Sequence, residues 1–317
     1  MSLRYVVRHV TRFTYSAPVR ETLMELRMQP RSEDRQICLS FELTVEPAAQ
    51  VQSFRDYQGN IVHHFDIPRP IQELTIIALS RLQVQEPEPP PSALSPTVWE
   101  EIDRAQEEGE HFDFLSPTAR TRASEEALEA LRGELAAFRR DDPLTVLREL
   151  NQGLHERFRY APESTGVETP LEDVLASRAG VCQDFSHLFL ALARQLGIPA
   201  RYVSGYLYHR DDTSVPDASH AWVEAYLPTL GWLGFDPTNN LLAGERHIRT
   251  AVGRDYSDVP PNRGTHKGEA TSELSVAVQV RLLGQPMGKD RFTSLGEPIE
   301  LPNLPAWYAA QQKQQQQ

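Results

Sequence analysis

The stretch Gly180-Val181-Cys182-Gln183-Asp184-Phe185-Ser186-His187-Leu188-Phe189-Leu190-Ala191-Leu192-Ala193-Arg194-Gln195-Leu196-Gly197 decides how the chain reads. Phe185, Leu188, Phe189, Leu192 and Leu196 recur at helical steps and form one strongly apolar face. Gly197 supplies a stop, and Pro199 lies just beyond it. The helix therefore opens at Cys182, directly after Gly180-Val181. Orphan N–H groups and the positive end of the helix dipole favour negative charge at such a position. A thiolate is the reactive form of cysteine, and helix N-termini promote it. The same N–H groups are suited to an oxyanion on an attacked carbonyl. The plain alternative for Cys182 taken alone is a thiol packed in the core behind the helix.

Downstream, residues 200–208, 220–227 and 231–235 read as three strands. In the second, His220, Trp222, Glu224 and Tyr226 share a face, because strand side chains alternate. His220 begins its strand after the loop-like Pro216-Asp217-Ala218-Ser219, and Asp236 ends the next strand, before Pro237. If those strands are antiparallel neighbours, His220 and Asp236 lie at one edge of the sheet. A histidine and a carboxylate beside a cysteine suit general base and orienting acid. Each residue alone has an ordinary structural reading, a strand histidine and a turn-initiating aspartate before proline. The three together are far more specific.

Upstream, residues 1–85 hold short alternating stretches separated by turn residues, including Leu39-Ser40-Phe41-Glu42-Leu43-Thr44-Val45 and the turn Asp56-Tyr57-Gln58-Gly59-Asn60. That texture predicts an antiparallel, sandwich-like β domain. Cys38 opens one of these stretches and reads as a buried structural thiol. Glu86-Pro87-Glu88-Pro89-Pro90-Pro91 is a polyproline-type linker, placed at residues 86–95. Helices are expected over residues 97–106 and 125–139, from Asp142-Pro143 onward, and briefly after Thr169-Pro170. The catalytic core is placed at residues 96–245 and a C-terminal loop and strand at 246–300, with 245–271 loop-like and a strand over 274–283. The glutamine-rich end of residues 301–317 has the composition of a disordered tail. The fold class is α+β.

The chain has 317 residues with 32 basic and 44 acidic side chains, a net charge of −12, which argues against sequence-independent nucleic-acid binding. No apolar run reaches the roughly 18 residues of a membrane span. Met1-Ser2-Leu3-Arg4-Tyr5 lacks the apolar core of a signal peptide, so a cytoplasmic location is the expectation. Neither C-x-x-C nor H-E-x-x-H occurs, and His63-His64 point to opposite strand faces, so neither a metal nor another cofactor is expected.

The contexts Arg178-Ala179-Gly180-Val181-Cys182-Gln183-Asp184-Phe185, Ser219-His220-Ala221-Trp222 and Gly231-Trp232-Leu233-Gly234-Phe235-Asp236-Pro237 resemble the transglutaminase-like superfamily, within the papain-like cysteine fold. Tyr15-Ser16-Ala17-Pro18-Val19, Leu26-Arg27-Met28-Gln29-Pro30-Arg31 and Asp56-Tyr57-Gln58-Gly59-Asn60 resemble the β region that precedes this core in bacterial members. The resemblance implies Cys182 as nucleophile, His220 as base and acid, and Asp236 as orienting carboxylate. It implies thiol protease, amidase or amine-transfer chemistry on a peptide or other amide. Tyr160, Gln183 and Trp222 are the candidate substrate-binding residues, and Asp184 a helix-start acid. His187 lies almost half a turn from the cysteine and reads as helix surface or core. The rival to an enzyme is a silent binding scaffold of the same fold.

Overall fold

The computed structural model describes residues 2–139, 141–162, 164–209 and 218–283. Strands β1 (Ser2–Leu26), β2 (Gln36–Glu46), β3 (Gln52–Arg55), β4 (Ile61–Ile67) and β5 (Ile71–Gln85) come first. Helices α1 (Val98–Glu107), α2 (Phe112–Leu115), α3 (Glu125–Glu134) and α4 (Pro143–Arg157) follow, then β6 (Arg159–Tyr160), α5 (Leu171–Ser177), β7 (Ala179–Gly180) and α6 (Cys182–Gln195). Strands β8 (Ala200–Leu207), β9 (Ala218–Leu227), β10 (Gly231–Asp236), β11 (Leu241–Leu242), β12 (His247–Gly253), β13 (Asn262–Lys267) and β14 (Ser272–Leu282) complete the described chain. The tail at 301–317 lies outside the described residues.

The N-terminal sheet is antiparallel, seven-stranded and curled about β1. Residues 2–15 of β1 run between β5 and β14, whereas residues 20–26 run between β4 and β13. The register shifts between Thr14 and Val19, where Pro18 cannot donate to a ladder. A bulge there bends the strand, so one long strand serves both halves of the sheet. Tyr15, Leu26, Phe65, Leu74 and Ile76 fill the interior of the curl.

Local chemistry explains the helices of the core. Asp142 caps α4 by accepting the N–H groups of Leu144 and Thr145, with Pro143 in the first turn. Leu144, Leu147, Leu150 and Leu154 bury one face against α6. Helix α3 stops at Glu134 rather than running to 139, because Ala136 takes a left-handed conformation at φ 52°. Every residue of α6 from Cys182 to Arg194 is buried, so this helix is the axis of the core. Buried Arg194 donates to the carbonyls of Phe114 and Ala200, pinning the helix end to the start of β8.

The core sheet has the order β11-β10-β9-β8-β12, with α6 packed on β8 and β9. Strand β12 lies in the stretch read as loop-like from sequence, and β13 follows it. Charged and polar residues dilute the apolar signal of both strands. The outer rim of β12 meets side-chain amides of the N-terminal sheet rather than another strand. Gln36 bonds both the N–H and the C=O of Arg249, at 2.9 Å each, and Asn60 does the same for Val252. Two amides thus satisfy an edge that would otherwise be open.

Candidate active site

Three elements bring the candidate residues together. Cys182 is the first residue of α6, preceded by Gly180 and Val181. A Cβ on Gly180 would sit 2.7 Å from Asp184 Cβ, so the close approach of β7 to the first turn of the helix requires glycine. Strand β9 carries His220 opposite Gly205 of β8. Strand β10 runs antiparallel to β9, pairing Phe235 with Val223, and delivers Asp236 to the His220 end of the sheet.

His220 Nε2 donates to Asp236 Oδ2 at 2.8 Å. The other ring nitrogen is left for the Cys182 thiol, which hydrogen-bonds to this imidazole. Burial alone would pull the imidazole down. The Asp236 charge and hydrogen bond, with the contact to Cys182, outweigh it and push His220 up to about 10. Asp236 is fully buried, which alone would raise it, yet His220, its hydrogen bonds and His247 hold it far below the usual carboxylate range. The carboxylate is saturated with donors. Oδ1 accepts the N–H groups of Thr238 and Asn239, and Oδ2 accepts Asn239 Nδ2, His220 Nε2 and His247 Nε2. Cys182 is 1% exposed, so the pair is sheltered from bulk water, which strengthens the charges inside it.

The other expected residues sort by burial. Tyr160 is 38% exposed and pairs across β6–β7 with Gly180, at the rim beside the cysteine. Gln183 is buried and its Nε2 donates to Val167 C=O at 3.4 Å. Trp222 is buried behind the site, its ring 6.1 Å from that of His220 and 5.2 Å from that of His247. Neither Gln183 nor Trp222 presents surface to a substrate in this conformation, although both were expected to bind one. Gln183 stands in the first turn after the cysteine and Trp222 shares the His220 face of β9, but the fold turns both side chains inward. Asp184 accepts Val181 N–H at 2.8 Å and the Thr165 hydroxyl at 2.6 Å, and burial pushes it up to about 6. His187 is buried in the core, accepts Tyr256 N–H and is lowered by burial. Cys38 is only half-buried, on edge strand β2 beside a bulge, rather than a core thiol; burial still raises it.

Sequence reasoning missed Asn239 and His247. Asn239 stands three residues after Asp236 and bonds its carboxylate at 2.8 Å. His247 begins β12, where His247-Ile248-Arg249-Thr250-Ala251-Val252 keeps no period-two alternation; its β-branched Ile248, Thr250 and Val252 are the one local strand signal. The ligand-type atoms of His220, Asp236 and His247 lie within 4.8 Å of one another. They are poorly set for a metal. Gly244 N–H donates to His247 Nδ1 at 3.2 Å, which puts the proton of neutral His247 on Nε2, aimed at Asp236. A protonated nitrogen has no lone pair to give an ion.

Comparisons with known proteins bear on the family and the fold. Residues 135–237 match the model of the transglutaminase-like superfamily, and residues 5–83 that of the bacterial transglutaminase-like N-terminal region. An uncharacterized protein of Mycobacterium leprae is 34% identical over 284 residues, covering 88% of this chain and 99% of that one. An uncharacterized protein of Mycobacterium tuberculosis is 36% identical over 290 residues, covering 87% and 92%. A protein-glutamine gamma-glutamyltransferase of Pseudomonas aeruginosa is 32% identical over 123 residues, 34% of this chain and 18% of that one. A solved structure from Cytophaga hutchinsonii, described as a candidate cysteine protease, superposes with a TM-score of 0.70 at 21% identity, covering 91% of this chain and 93% of that one.

Proposed function

Because this chain belongs to the transglutaminase-like superfamily, with the N-terminal region of its bacterial members, we propose that it is a cysteine-dependent acyl-transfer enzyme acting on peptide or other amide bonds. One observation carries the reading. The Cys182 thiol, the His220 imidazole and the Asp236 carboxylate form one continuous hydrogen-bonded line that starts at a helix N-terminus.

In this reading Asp236 holds His220 as an imidazolium, and that charge supports a thiolate on Cys182. Sγ attacks the amide carbon, and the carbonyl electrons move to oxygen, stabilised by backbone N–H at the start of α6. The oxyanion collapses and the C–N bond breaks. His220 gives its proton to the departing amine, leaving a thioester on Cys182. Water then attacks with His220 taking its proton, and the C–S bond breaks to release a carboxylic acid and restore the thiolate beside the imidazolium. An amine in place of water completes acyl transfer instead. Tyr160, exposed at the rim, is the residue positioned to meet the substrate.

The test uses iodoacetamide at neutral pH, followed by mass spectrometry of the Cys182 and Cys38 peptides. Exposure alone favours Cys38, since Cys182 is the more buried thiol. The proposal expects Cys182 to react at least about tenfold faster, and His220→Ala to remove that advantage. Slow, equal labelling of both cysteines points to a binding scaffold and defeats the enzyme reading. Incubation of the active protein with a glutamine peptide, with and without a primary amine, then separates hydrolysis from transfer.

A further inference from the structure

Asp236 has two imidazoles on one carboxylate oxygen, and only one of them reaches the thiol. We infer that His247 is a positioning residue of the catalytic unit, a neutral second histidine that fixes the Asp236 carboxylate so that it can hold His220 against Cys182. The inference rests on the acyl-transfer reading above and extends it to a residue on a different strand.

Four observations support it. His247 Nε2 lies 3.1 Å from the same Asp236 Oδ2 that His220 contacts at 2.8 Å. Its tautomer is set from behind, because Gly244 N–H occupies Nδ1 at 3.2 Å. Its ring is clamped edge-on against Trp222 at 5.2 Å, and Trp222 also stacks on His220. Its strand, β12, is held in place by the Gln36 and Asn60 amides, so the N-terminal sheet fixes the height at which His247 meets the carboxylate.

The charged and titratable groups that bear on this histidine are Asp236, His220 and Arg246. Burial, together with the positive charges of His220 and Arg246, opposes a second imidazolium there and outweighs Asp236. A neutral donor is what the site needs. It restrains the carboxylate without competing for the charge of Asp236, and that charge remains available to His220.

The experiment measures iodoacetamide labelling of Cys182 against pH in the full chain, for wild type, His247→Leu and His247→Gln. Melting temperature is recorded for each variant at every pH. In His247→Leu the carboxylate loses a restraint, His220 is held less firmly as an imidazolium, and the thiolate pair forms only at higher pH. Labelling should fall roughly tenfold near about pH 6 and change little near about pH 9, where a thiol ionises without help. His247→Gln retains an N–H donor and should recover most of the lost reactivity at the lower pH. A uniform loss at all pH values, an unchanged profile, or reactivity extending to lower pH overturns the inference. If wild-type Cys182 labels no faster than Cys38, the acyl-transfer reading itself fails. If wild type is fast and His247→Leu matches it, only the role of His247 fails.

Discussion

The side-chain amide of Asn60 bonds both the C=O and the N–H of Val252, at 2.8 Å in each direction. An asparagine at a turn of the N-terminal sheet therefore behaves as a strand partner for the core sheet. The turn is built to present it. Asp56 accepts the N–H groups of Gln58 and Asn60 and also the Asn60 amide, Gly59 takes φ 77°, and Arg31 donates to Asn60 Oδ1.

Asn60→Leu is the direct probe of this joint. The substitution leaves the N–H and C=O of Val252 without their partner in a buried place, while Arg31 keeps Glu33 and the Gln58 carbonyl, at a cost of roughly 2–4 kcal/mol. The midpoint of urea unfolding should drop accordingly. An unchanged midpoint would show that the sheets are held together without this contact.

The proposed chemistry makes graded demands on three side chains. Cys182→Ala should abolish turnover of an amide probe while the fold persists, since alanine fills most of the small buried volume. His220→Ala should cost nearly as much, because the members act as a unit. Asp236→Asn should lose roughly 10³–10⁴-fold, as an amide N–H₂ now faces two ring nitrogens that were donors. Asp236→Ala should also lower the melting temperature, because it strips the acceptor from the N–H groups of Thr238 and Asn239. Full activity in Cys182→Ala would end the proposal.

Legibility from sequence followed the range of the signal. Helix α6 and the positions of Cys182, His220 and Asp236 were readable because each depends on local periodicity and on strand ends. The antiparallel pairing of β9 and β10 was readable because few residues separate them. Pairing of β1 with β13 and β14 joins residues about 250 positions apart, and no local pattern encodes that. His247 escaped notice because β12 mixes polar and apolar residues on a rim capped by amides. Trp222 and Gln183 show the opposite limit. A place next to the cysteine or on the His220 face does not reveal whether a side chain reaches the cleft, and Trp222 Nε1 is buried with no partner among the described residues.

Asp184 yields a pH prediction whose sign can be worked through. Its carboxyl is buried and raised from 3.8 to about 6, with Thr165 and Val181 only partly offsetting burial. Between those values the folded chain keeps this proton while the unfolded chain has released it. Unfolding then releases a proton, so stability falls as pH rises from about 4 to about 6 and levels off above. A two-unit shift corresponds to at most about 3 kcal/mol. Other carboxylates, Asp236 above all, slope the opposite way, so the informative quantity is the difference between wild type and Asp184→Asn. Asparagine keeps an acceptor for Val181 N–H and cannot ionise. The variant should gain on wild type across this window and hold a constant advantage at neutral pH, in urea unfolding measured at each pH. A difference that stays flat from about pH 4 to about pH 7 would mean that Asp184 ionises as readily folded as unfolded, and that the turn carrying Cys182 does not resist its charge.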